Sequence, residues 1–494
     1  MSSVPSGRRS RSADRRERTR VVPVTSNAKL RAGSGSERPD KPPGIFSPRY
    51  LWVTIGACAL VFLGAFESLA VTTIMPLVSA DLDGAALYAL AFAGPLATGV
   101  IGMVVAGNWS DRNGPVAPLV SSVAIFIAGL LIAGLATDMT IFLLGRLVQG
   151  LGSGAMNVAL YVVVARIYPS ALHARIFAGF AAAWVVPSLV GPFAAGVVAE
   201  LTSWHWVFLG VVALVLIAML MVVPALRMLR GQPTTDAALR PAWALGMIAW
   251  SVLAAVAVLS LNLSAQLDGP MVGVVAVTAV IVALAAVRPL LPRGSLRAAR
   301  GLPSVILLRG LVAAAFFGAE VYIPYLLNDR YDFSAALSGL ALTGAALTWA
   351  SASWLQGKLD DALSHVRAMR IGTALVLVAI LTAVATAAAE LSPLVVIVGW
   401  LFGGAGMGLM YPRLSVMTLS YSSDRDQGFN SSALSIGDSL GGALALASTG
   451  IVFAALTWLG GAWPFAGCFV LAAVVGCVAI GVAPRVGDGV RAEA

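Results

Sequence analysis

Apolar residues fall into long runs separated by short polar stretches. The runs cover about 51–73, 87–107, 116–136, 140–164, 175–198 and 205–226, then 243–263 and 271–291, then 303–327, 335–356, 370–389, 393–418, 431–457 and 461–483. An α-helix rises about 1.5 Å per residue, so roughly 20 apolar residues cross a bilayer core. The pattern therefore predicts fourteen membrane helices. The runs are too long and too evenly apolar for barrel strands, which alternate in periods of two. The expected fold is an all-α integral membrane protein, with two six-helix bundles related by a pseudo-twofold and an inserted two-helix hairpin.

Composition agrees with the pattern. Of 494 residues, 59% are hydrophobic and 11% charged, against about 25% charged in soluble domains. Mean hydropathy is +0.89. The net charge of +9 would suggest a nucleic-acid partner until it is located. Residues 1–50 hold 12 of the 32 basic and 4 of the 23 acidic groups. The rest of the chain is nearly neutral, so no nucleic acid is expected as a partner. The basic segment lacks hydrophobic periodicity and reads as a disordered cytoplasmic tail, without the apolar core of a secretory signal. It is either a solvated topology signal or a patch for anionic lipids.

Basic residues also sort the connections. Arg112, Arg166, Arg175, Arg227, Arg230, Arg240, Arg288, Arg293, Arg297, Arg300, Lys358, Arg367, Arg370 and Arg425 lie in alternate connections, and Arg309 and Arg413 at helix ends on that side. The other connections hold Asp81, Asp83, Asp138, Glu200, Asp268, Asp329, Asp332 and Glu390, with Arg330 as their one basic residue. The positive-inside rule puts both termini in the cytoplasm, with the chain in the plasma membrane, a bacterial inner membrane. The expected units are the tail at 1–50, a six-helix bundle at 51–230, a linker with two extra helices at 231–300, a second bundle at 301–484 and a short cytoplasmic tail at 485–494.

Four charges stand out deep within apolar runs: Glu67, Arg146, Glu320 and Asp438. At the bilayer centre each costs about 2.5–3.5 kcal/mol on insertion scales. Such groups line a polar path, carry protons or pair with each other. The alternative is a structural ion pair or a side chain reaching the headgroups, and Ser435 and Ser439 are local partners for Asp438. Glu67 precedes Pro76, and Glu320 precedes Pro324, a short echo between the halves. Cys58, Cys468 and Cys477 and His173, His205 and His365 form no ligand spacing or catalytic set, so no metal, cofactor or enzymatic activity is expected. No Gly-x-x-x-x-Gly-Lys-Ser/Thr loop is present; the Gly403-Gly404-x-Gly406-x-Gly408 run fits close helix packing, and transport powered directly by ATP is not expected.

Four segments carry a resemblance. Gly107-x-x-x-Asp111-Arg112-x-Gly114 resembles motif A of the major facilitator superfamily. Arg146-x-x-Gln149-Gly150-x-Gly152 resembles its motif B. Pro187-x-x-x-Gly191-Pro192-x-x-x-Gly196 is similar to the antiporter motif C, and the Glu67-to-Pro76 spacing to the 14-helix drug:proton antiporter branch. The resemblance covers about 51–483. It implies two bundles rocking about a central cavity, an inner gate at motif A with Asp111 meeting a helix N-terminus, proton transfer assisted by Arg146, and a motif C that favours export. Departures stand beside it: Pro115-Val116 replace two basic residues, Pro187 replaces a glycine, and the second-half echo Gly357-Lys358-Leu359-Asp360-Asp361 has Ala362 in place of arginine.

The expected function is therefore a monomeric proton-coupled exporter of amphipathic or apolar small molecules, with protons and the lipid bilayer as its other partners. The alternatives are a symporter, a specific exporter of a metabolite, siderophore or lipid, and a receptor or scaffold that transports nothing.

Overall fold

The computed structural model describes residues 44–48, 50–230, 242–264, 267, 269–358, 363–423 and 426–487. The basic tail to residue 43, Arg240, Asp268, Arg425, the echo at 359–362 and the last residues of the C-terminal tail lie outside them.

Every apolar run is a helix. The first six are α1 (Leu51–Asp81), α2 (Leu90–Asn113), α3 (Val116–Gly134), α4 (Met139–Ile167), α5 (Ser170–Leu201) and α6 (His205–Arg230). The hairpin is α7 (Leu245–Leu263) and α8 (Met271–Val287). The rest are α9 (Leu302–Glu320), α10 (Tyr322–Tyr331), α11 (Ala335–Lys358), α12 (His365–Ala388), α13 (Pro393–Ser420), α14 (Gln427–Leu456) and α15 (Trp463–Val482). No strand occurs among the described residues.

Two departures from straight spans have proline causes. The ninth run is split at Val321 into α9 and α10. Pro324 has no N–H to give the Glu320 carbonyl, and its ring crowds that carbonyl. In α5, Arg175–Ser188 and Val190–Leu201 diverge by 44°, beside Pro187 and Pro192. Thirteen helices are long and apolar enough to span a membrane, or fourteen with α5 counted as one bent span.

Each six-helix set is built around a glycine-rich helix. In the first, α4 lies between α2 and α3, and in the second α13 lies between α11 and α12. Small residues let these backbones touch. A Cβ on Gly150 would run into the backbone of Pro95, and one on Gly404 into that of Ala345. Helix α1 packs on α5 and α6, and α9 on α14 and α15. The hairpin seats α7 on α2 and also on α14, so it touches both sets.

The near side of the bundle is the end where α1 begins, and the far side the end where α1 stops. The two sets meet across the far side. Tyr88, just before α2, donates to the Val321 carbonyl at 2.9 Å and stacks on Tyr325 at 4.7 Å. Glu200 accepts from the Ala336 backbone N–H at 2.8 Å. A Cβ on Gly196 would lie 2.7 Å from Ala336 Cα, so α5 and α11 touch there backbone to backbone.

Candidate functional site

Glu67 on α1 and Arg146 on α4 are each 4% exposed and form an ion pair between Arg146 Nη1 and Glu67 Oε1. The same Nη1 donates to Gln149 Oε1 at 2.6 Å. Arg146 Nε donates to the Ala91 carbonyl at 3.2 Å. Four residues on, Pro95 has no N–H to offer that carbonyl, which leaves it for the guanidinium. Thus Pro95 both opens an acceptor and receives Gly150, one turn past Arg146. Gln149 Nε2 is buried without a hydrogen-bond partner. Removing one member of such a pair leaves a charge uncompensated, at a cost of about 3–5 kcal/mol.

A second cluster lies in the other set. Arg309 Nε on α9 donates to Asp438 Oδ1 on α14 at 2.8 Å, and the Tyr411 hydroxyl on α13 donates to the same oxygen at 2.8 Å. The guanidinium sits 3.4 Å over the Tyr411 ring, a cation–π contact, and Nη1 donates to the Tyr411 carbonyl at 3.3 Å. The side chains are 15% and 26% exposed, so this pair is less closed than the first. Ser435 donates back to the Ser431 carbonyl and is not what holds Asp438. Sequence reading placed Arg309 at a helix end and missed this role; its signal is its position two turns inside an apolar span.

Glu320 closes α9 at the Pro324 break. Trp400 lies beside its carboxyl, with the indole N–H outside hydrogen-bond geometry. Trp400 stacks on Phe316 at 4.8 Å. Glu320 has no ion-pair partner among the described residues. The four charges of the sequence reading therefore occupy three settings: Glu67 with Arg146, Asp438 with Arg309, and Glu320 beside Trp400. The echo between Glu67 and Glu320 does not extend to local geometry, since only Glu320 ends its helix.

On the first set lies an aromatic-lined depression of about 120 Å³, formed by Val61, Asn157, Tyr161, Phe177, Phe180 and Trp184 of α1, α4 and α5. Tyr161 stacks on Phe177 at 5.0 Å.

The motif residues take separate places. Asp111 and Arg112 fall in the last turn of α2, with Gly114 beyond it at φ 81°. Asp111 is exposed. Arg166 at the end of α4 lies near it. Gly107 has open space beyond Val158. Arg112 lies 5.2 Å over the Trp243 ring, and Asn108 accepts from the Ala244 N–H at 3.2 Å, so this segment docks the hairpin. Pro187, Gly191, Pro192 and Gly196 are buried. Gly191 faces Phe66 of α1, while Pro192 and Gly196 face α11.

A many-span helical bundle in two sets, with ion pairs held inside its apolar helices, is the build of a membrane transporter. Residues 56–381 match the Major Facilitator Superfamily, and the chain belongs to that family. It is 26% identical over 431 residues to the "Multidrug transporter protein MdtP" of Bacillus subtilis, covering 82% of this chain and 75% of that protein. It is 24% identical over 172 residues to the "Multidrug efflux pump SdrM" of Staphylococcus aureus, which is 35% of this chain and only 38% of that protein's length. In fold it is similar to a crystallised POT family transporter bound to a thioalcohol-conjugated peptide, with TM-score 0.66 at 15% identity over 90% of this chain and 99% of the other. The Escherichia coli xylose transporter XylE in a partially occluded inward-open conformation gives TM-score 0.59 at 12% identity, over 90% and 99%.

Proposed function

We propose that this transporter is a proton-coupled exporter of amphipathic or apolar small molecules. The observation that carries the reading is Glu67, buried on α1 against Arg146 and Gln149. A carboxylate held by one guanidinium has two states within reach. It is either ionised and paired, or protonated with Arg146 turned to Gln149 and Ala91. Exchange between them changes what holds α1 to α4, which is the kind of bistable contact that alternating access needs.

The rings of Tyr161, Phe177, Phe180 and Trp184 beside Asn157 support an amphipathic cargo; the names of MdtP and SdrM support drug-like cargo, and that of SdrM the outward direction. In this reading the near side faces the cytoplasm of a bacterial cell, both termini lie there, and the far side is closed. The units at 51–230 and 301–484 rock as bodies, with 231–300 riding on α2. The pair Arg309–Asp438 and the carboxyl of Glu320 contact cargo from the second set.

The test is transport by the purified protein in liposomes with an imposed pH gradient. Glu67→Gln keeps size and hydrogen bonding but loses the titration. Gradient-driven accumulation of a lipophilic dye should vanish while energy-independent exchange persists. Full gradient-driven transport by Glu67→Gln would remove Glu67 from the coupling step.

A further inference from the structure

The connection between α8 and α9 is more ordered than a short link requires. The span through α8 ends at Leu290 and the next begins at Leu302, so both ends are fixed on one side and the loop stays at headgroup depth. Within it, the Ser295 N–H and hydroxyl both donate to the Pro292 carbonyl, at 3.2 and 2.9 Å. Arg297 and Ala299 N–H groups both donate to the Gly294 carbonyl, at 3.1 and 3.2 Å. Gly301 N–H donates to the Arg485 carbonyl at 3.0 Å, tying the loop to the C-terminal turn.

Three residues in the loop have positive φ: Gly294 at 88°, Ala298 at 50° and Gly301 at 79°. For Ala298, which has a Cβ, this left-handed geometry is strained, and such a conformation persists only where the surroundings impose it. Its effect is to gather side chains. Arg288, Arg293 and Arg297 line one depression of about 530 Å³ with Pro292, Gly294, Ser295 and Leu296. That volume lies in the ~300–1,000 Å³ range of small-ligand sites. All three arginines are exposed, and none is in an ion pair among the described residues.

We propose that this depression binds the phosphodiester headgroup of an anionic phospholipid. Guanidinium forks match phosphate oxygens bidentately, and basic pockets beside membrane helices take such headgroups. The exposed Leu296 at its rim meets the acyl region. Occupancy pins the exit of the hairpin to the start of α9. The proposal is independent of which residue carries the coupling proton.

The test is native mass spectrometry of the full-length protein in detergent, titrated separately with phosphatidylglycerol, phosphatidylcholine and inorganic phosphate. Phosphatidylglycerol should bind in preference to phosphatidylcholine. The triple variant R288Q/R293Q/R297Q should weaken phosphatidylglycerol binding about a hundredfold, at roughly 1 kcal/mol for each arginine. R367Q/R370Q, on the exposed first two turns of α12, should leave it unchanged. If the triple variant does not fold, R293Q alone should weaken binding by about twofold or more. Three results overturn the proposal: unchanged binding in the R288Q/R293Q/R297Q or R293Q protein, an equal loss in R367Q/R370Q, or binding of inorganic phosphate without preference for the lipid.

Discussion

The Tyr88 hydroxyl donates to the Val321 carbonyl at 2.9 Å, joining the entry of α2 to the break between α9 and α10. The break exists because Pro324 cannot continue the ladder of α9. A local defect in one set therefore becomes a latch against the other, on the far side where the sets meet. Tyr88→Phe keeps the ring packing on Tyr322 and Tyr325 and removes only the hydrogen bond. At about 0.5–1.5 kcal/mol net, the population open on the far side should rise roughly two- to tenfold. Spin labels at Asp83 and Asp329, both exposed there, would read the change as a longer distance component. An unchanged distance distribution would mean that the aromatic stack alone holds the closure.

Gly196 offers a steric version of the same test. A Cβ there meets Ala336 backbone at 2.7 Å, so Gly196→Val must push α5 away from α11. Overpacking of this kind costs about 1–3 kcal/mol. The melting temperature of the purified protein should drop, and the far-side distance should lengthen. Gly210→Val is the control, because nothing lies within 4 Å of a Cβ there. Equal behaviour of the two variants would show that the contact at Gly196 does not hold the closed side.

Much of this architecture is legible in the sequence, for a physical reason. A bilayer demands runs of about 20 apolar residues, so run length alone locates helices. Burying a charge is costly enough that Glu67, Arg146, Glu320 and Asp438 stand out in the same reading. Partners are another matter. Arg309 and Asp438 are 129 positions apart, and nothing in either segment names the other. Arg309 also reads as a topology residue, since arginines near helix ends are common on one side of a membrane. The role of Pro95 is invisible until α4 is seen beside α2, because only then does the Ala91 carbonyl acquire the Arg146 donor. The docking of Trp243 on Arg112 likewise depends on where the hairpin lands.

Sidedness can be read directly with a membrane-impermeant thiol reagent on intact cells, after replacing Cys58, Cys468 and Cys477. Single cysteines at Asp83 and Glu390 should react from outside. Those at Asn113, Arg297 and Ser423 should react only once the membrane is opened. The structure puts the first two on the far side and the others at the near ends of helices, so they must sort together. Outside labelling at Arg297 alone would place one end of α8 on the wrong side and break the hairpin reading.

The two ion pairs compete for the coupling role, and their environments suggest how to separate them. Glu67 is buried and paired with Arg146, while Asp438 is partly exposed and shared by Arg309 and Tyr411. A partly exposed group is suited to meet cargo, and a closed one to hold the proton. Asp438→Asn should then keep gradient-driven transport but change apparent affinity, favouring acidic over basic dyes because Arg309 is left without its carboxylate. Arg309→Gln should shift the preference the other way, since Asp438 then lacks its cation. Both shifts should appear in KM more than in the maximal rate, the signature of binding shared by ground and transition states. If Asp438→Asn instead abolishes gradient-driven transport while Glu67→Gln retains it, the coupling proton rides on α14 and the buried pair on α1 and α4 is structural.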